Sequence, residues 1–223
     1  MTDQLVYDLL EKQTTRITTL ERLVEKLTCS EYAAGLEGPA GPAGPAGSGG
    51  WELINETILA QAVASITFAD IPQTYRSLIL IAQARCSIAS ELEGLGWQVN
   101  ADSGANYDYI ILYSYGGTTN TAYSAAYRAQ TAAFIGCCEG DASRANNFTP
   151  AKVQWDGYAL ADREKWAVAH TAVFGNVSTN NDMYQNFTTS RWRNTTAITD
   201  LTVLAWGAND FMIGSRFALY GVT

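Results

Sequence analysis

Apolar positions in the first part of the chain recur with a helical period. Val6, Leu10, Gln13, Ile17, Leu20, Val24 and Leu27 follow one another at spacings of 4, 3, 4, 3, 4 and 3. This is the a/d seam of a heptad, with Leu10, Ile17 and Val24 at a and the other four at d. No Gly or Pro interrupts residues 1–34, so the pattern predicts a coiled-coil helix over that span. Branched side chains at a with Leu at d favour two strands, whereas Leu9 and Leu23 at g widen the apolar stripe toward more than two. An amphipathic helix packed on its own domain would show the same period.

The next segment bears on that choice. Gly occupies positions 35, 38, 41, 44, 47 and 50, and Gly-Pro-Ala repeats at 38–40, 41–43 and 44–46. Three polyproline-II chains can wind together only when every third residue is Gly, because nothing larger fits at the shared axis. A spacer without that duty has no need of a strict period of three. Residues 35–50 are therefore expected to form a short collagen-like stalk. Too few triplets are present to hold three chains alone, and the neighbouring heptad helix supplies the missing association. The expected assembly is a homotrimer, with Val6, Leu10, Gln13, Ile17, Leu20, Val24, Leu27 and Gly35, Gly38, Gly41, Gly44 and Gly47 at its axis.

From residue 51 onward the period changes to two. Candidate strands are 51–59, 62–68, 76–86, 95–100, 107–115, 132–138, 165–174, 184–193, 197–206 and 211–221, separated by turn signals such as Asp102-Ser103-Gly104 and Asp156-Gly157. Many short strands without a long helical window predict a mainly β head, a jelly-roll-like β-sandwich over residues 51–223.

Composition narrows what such a molecule does. The formal charge is −8, from 14 Lys+Arg against 22 Asp+Glu, and no basic run occurs, which argues against nucleic acid as a partner. The longest apolar run, Leu78-Ile79-Leu80-Ile81-Ala82, is strand-sized, so no membrane insertion is expected. Met1-Thr2-Asp3-Gln4 has no positive charge and no apolar stretch follows, so synthesis in a cytoplasm is expected. With one His, His170, and no HExxH, GxSxG, Walker A or paired CxxC motif, the chain is not expected to be an enzyme. No catalytic residue, metal site or cofactor is assigned. Asp102, Asn106 and Asp108 do not match a Ca²⁺ loop, and an Asx turn is the simpler reading. Cys137 and Cys138 are read as strand thiols, Cys86 likewise, and Cys29 lies near the end of the heptads.

The head resembles a C-terminal domain common in tailed-bacteriophage fibre and virion proteins. The resemblance is carried by Trp51-Glu52-Leu53-Ile54, Ile66-Thr67-Phe68-Ala69-Asp70-Ile71-Pro72, Tyr75-Arg76-Ser77-Leu78-Ile79-Leu80, Asp102-Ser103-Gly104-Ala105-Asn106-Tyr107 and Gly214-Ser215-Arg216-Phe217-Ala218-Leu219-Tyr220-Gly221. It implies a trimeric virion appendage whose N-terminus joins other virion proteins and whose tip carries a sandwich of the sugar-binding kind. It supplies no functional residues.

Those come from chemistry alone. Sugar faces stack on Trp and Tyr while Asn and Arg bond the hydroxyls. Trp97, Asn106, Tyr107, Tyr109, Trp155, Arg191 and Trp192 lie near predicted turns or strand ends and are the candidate contacts to a host-surface glycan or protein. The alternative is a purely structural appendage of capsid, collar or tail.

Overall fold

The computed structural model describes residues 2–28, 50–116, 121–175, 183–207 and 209–223. They belong to two units, divided between Ser48 and Gly49.

In the first unit, α1 spans Thr2–Thr28. Its centre is rich in β-branched Thr, which favours helices weakly. Thr14, Thr15, Thr18 and Thr19 each donate a hydroxyl to the carbonyl four residues back at 2.8 Å, which satisfies those groups within the helix. Within this unit the seam is apolar and exposed: Val6, Leu10, Ile17 and Leu20 are all more than half exposed. The expected stalk positions Gly35, Gly38, Gly41, Gly44 and Gly47, like Cys29, lie outside the described residues, as does the Leu27 side chain.

The second unit is mainly β. Its strands are β1 (Trp51–Ile58), β2 (Ser65–Phe68), β3 (Ser77–Ala84), β4 (Leu92–Val99), β5 (Tyr107–Gly116), β6 (Thr121–Gln130), β7 (Ala133–Glu139), β8 (Thr149–Asp156), β9 (Lys165–Val173), β10 (Met183–Trp192), β11 (Leu201–Ala205) and β12 (Arg216–Val222). They form two antiparallel sheets, one ordered β1-β12-β3-β8-β9-β10-β5-β6 and the other β2-β11-β4-β7. The first four ranks of the large sheet and the four of the small one hold consecutive strands: β1 with β2, β12 with β11, β3 with β4, and β8 with β7. The chain thus steps from sheet to sheet, and β5, β6, β9 and β10 all extend the larger one.

Alternation decides what the sheets bury. In β9 every second residue from Lys165 to Val173 is buried. One core results, built around Phe68, Leu78, Leu80, Leu95, Trp97, Ile135, Trp155, Phe211 and Phe217 from both sheets. The sheets meet closely where β7 lies across β9. A Cβ on Gly136 would stand 2.2 Å from Thr171 Oγ1, so only glycine permits the approach.

Two strands, β6 and β8, were not expected from the pattern. β8 begins Thr149-Pro150, and proline is unusual in an inner strand. Its pairing with β9 reaches only to Ala151, so Pro150 lies beyond the stretch paired on both sides. β6 lacks an apolar alternation and forms the sheet edge.

Candidate functional site

The paired ends of β5 and β10 carry most of the sequence candidates. Tyr107 faces Trp192 across the ladder, Asp108 faces Arg191 and Tyr109 faces Ser190. Because side chains alternate, the same stretch sends Tyr107, Tyr109 and Trp192 inward and Asp108 and Arg191 outward.

The inward set is buried, although these aromatics lie near predicted turns or strand ends in the sequence. Trp97, Tyr107 and Trp155 are fully buried, and Trp192 and Tyr109 nearly so. Trp97 stands edge-on to both Tyr107 and Trp155, with ring centres 5.6 Å apart in each case. Their polar atoms are mostly used internally. Trp97 Nε1 donates to Ser190 Oγ at 3.0 Å, and Trp192 Nε1 donates to Asp102 Oδ2 at 2.6 Å. The Tyr107 hydroxyl donates to the Asp102 carbonyl at 2.8 Å and accepts the Val99 N–H at 3.1 Å. Burial raises the Tyr107 pKa above its ordinary value, so its phenol stays protonated.

Asn106 is also structural. It bonds both carboxylate oxygens of Asp102, whose Oδ1 accepts the Gly104 N–H at 2.8 Å, the Asx turn expected from the sequence. Burial raises the Asp102 pKa, but the donors from Trp192, Asn106 and Gly104 outweigh it and hold the carboxyl below its ordinary value.

Of the seven, Tyr109 and Arg191 line a hollow on the outer face, Tyr109 buried and Arg191 with the more exposed side chain. Arg191 Nε donates to Asp108 Oδ2 at 2.9 Å and its Nη1 to Glu164 Oε2 at 2.9 Å. The guanidinium carbon lies 5.6 Å from the centre of the Trp166 ring. Asp108 in turn accepts the Ala129 N–H at 2.9 Å. Burial raises the Asp108 pKa, yet that N–H and the guanidinium groups of Arg191 and Arg193 leave it below the usual carboxylate value.

Around this pair lies a shallow hollow of about 260 Å³ whose lining includes Asp108, Tyr109, Ile110, Arg128, Trp166 and Arg191. Beside it the outer face stays apolar: Leu112, Val168 and Phe187 are each about half exposed, as are Ile110 and Trp166. His170 stacks on Phe187 with ring centres 4.5 Å apart and bonds Gln185 at 3.1 Å on this face. The hollow offers an indole surface for the C–H face of a sugar or another flat group, with a fixed cation and two carboxylates at its rim.

Sequence reasoning missed Trp166, Ile110 and Arg128. In Lys165-Trp166-Ala167-Val168-Ala169 the large apolar residues point outward and the small ones inward, with Lys165 buried. Lys165 is tolerated there because Nζ donates to the carbonyls of Leu160, Arg163 and Thr195. The alternation was visible, but its phase inverts the usual order of size and polarity.

No protein-family profile matches the chain, and neither the curated proteins nor the solved structures contain a match. Among the described residues, no group of three or more His, Cys, Asp or Glu could hold a metal ion. No described helix is long and apolar enough to cross a membrane.

Proposed function

We propose that the chain is a trimeric bacteriophage virion fibre protein, anchored to the particle through its N-terminal stalk and displaying the sandwich for host-surface recognition. The observation that carries this reading is the exposed apolar heptad pattern of α1 followed by glycine at every third position from 35 to 50. An apolar stripe with no cover from its own helix calls for partner helices, and the glycine period calls for three chains.

The head supports the same reading at the level of architecture. Four strand pairs split rank by rank between two sheets support reading the head as a jelly roll, an architecture used in viral capsid and lectin domains. Fold alone does not assign a ligand, so the recognition part rests on the Trp166 face. Three such faces on one stalk would bind a repetitive surface by avidity even if each site is weak.

The test is binding of fluorescent full-length protein to host cells and to their isolated surface polysaccharide. Wild type binds, and Trp166→Ala reduces binding at least tenfold while the protein keeps its assembly state and melting behaviour. Equal binding by the two proteins would remove Trp166 from the site.

A purely structural appendage is the second reading. It is favoured by the internal use of the hydrogen-bonding groups: the Arg191 fork is already engaged by Asp108 and Glu164, and five of the seven candidate residues are core. Wild-type protein that binds no host surface but incorporates into virions, and fails to do so without residues 1–34, would support that reading.

A further inference from the structure

Cys138 lies in β7 and Cys86 two residues beyond the end of β3, 52 positions apart in the chain, yet their sulfur atoms lie 2.7 Å from each other. Both side chains are fully buried. That separation is shorter than a van der Waals contact between two sulfurs and approaches the bond length of about 2.05 Å in a disulfide.

The backbone holds the two positions in place independently of the sulfurs. Arg85 and Glu139 form a parallel β-bridge, and the Cys86 N–H donates to the Glu139 carbonyl at 2.8 Å. Cys86 is also bridged to Phe211 on its other side. The Arg85 guanidinium then bonds the carbonyls of Asp141, Ser143 and Arg144 in the turn that follows β7. Neither chain segment has to move far for the thiols to join.

Cys137 is placed differently. It points to the opposite face of β7, where its sulfur lies 3.9 Å from Asn186 Oδ1. The adjacent cysteines are therefore not each other's partners. Alternation along the strand assigns Cys138 to Cys86 and leaves Cys137 apart.

We propose that Cys86 and Cys138 are an oxidisable pair that closes into a disulfide joining β7 to the segment that follows β3. The oxidant is a small-molecule disulfide such as oxidised glutathione. One cysteine loses its proton and its thiolate attacks the small disulfide, releasing one thiol and leaving a mixed disulfide on the protein. The second cysteine, likewise deprotonated, attacks the protein sulfur of that mixed disulfide and releases the other thiol. Two electrons and two protons pass from the cysteines to the oxidant, which ends as two thiols. Burial keeps both sulfurs away from solvent and raises the Cys138 thiol above its ordinary value, so exchange in the folded head is slow. The bond forms as the chain folds under oxidising conditions, or when β7 opens. This proposal does not depend on what the head binds.

The test is refolding of full-length protein with oxidised or reduced glutathione, followed by labelling with N-ethylmaleimide in guanidinium and mass measurement. The chain has four Cys. After reducing conditions all four take label. After oxidising conditions two labels are lost, and peptide mapping joins Cys86 to Cys138. Cys137→Ser keeps the cross-link, and Cys138→Ser abolishes it. The oxidised protein unfolds at higher denaturant than the reduced protein. Uptake of four labels after oxidising refolding, or a cross-link through Cys137 or Cys29 in place of this pair, would overturn the proposal.

Discussion

Gly136 shows how one residue sets the spacing between the sheets. Its α-hydrogen faces Thr171, and no side chain fits between them. Gly136→Ala is expected to lower stability by about 1–3 kcal/mol through overpacking, read as a lower denaturation midpoint. Two tryptophans give a contrasting pair. Trp97→Ala empties the core and is expected to cost about 3–5 kcal/mol. Trp166→Ala lies on an exposed face and is expected to stay within about 0.5 kcal/mol of wild type. A large loss from Trp166→Ala would mean that the indole is part of the fold. Asp108 adds a pH dependence. Its folded-state pKa lies below the ordinary carboxylate value, so its contribution is complete above the unfolded value, near 4, and disappears as pH falls through the folded one. Between pH 5 and pH 2, wild type is expected to lose more stability than Asp108→Asn, as measured by urea denaturation; equal losses would contradict the assignment. These environments were not legible in the sequence. Trp97, Trp192 and Trp166 all sit in strands, and composition does not say which phase faces inward.

At the scale of elements, periodicity carried much further. The alternation in residues 165–174 and 184–193 matches β9 and β10 to within a residue at each end. Edges were less legible: residues 197–206 shrink to β11 at Leu201–Ala205, because Ile198 and Thr199 pair outside the ladder through Tyr158 and Ile71. β6 escaped notice for the opposite reason. As an edge strand with its side chains largely exposed, it has no need of an apolar phase. The helix is the element with the plainest pattern, since its apolar seam has no dual use. Ile17→Asp places a charge in the middle of that seam, and the mass of the full-length protein is expected to fall to that of a single chain in sedimentation equilibrium. An unchanged mass would show that the seam does not hold the chains together.

For the whole molecule, sequence pattern indicated a mainly β head but not how its strands are ordered. Order depends on pairings such as β1 with β12, which join the two ends of the head, and no local pattern encodes them. The same pairing explains why Trp51 and Tyr220 touch although they lie at opposite ends of the head sequence. The number of chains is the central claim, because attachment, avidity and display all follow from it. Light scattering of the full-length protein beside residues 50–223 tests it most directly. The full-length protein is predicted to have about three times the chain mass of 24.2 kDa. A single-chain mass at micromolar concentration would contradict it, and would reduce the glycine repeat to a spacer between a helix and a solitary head.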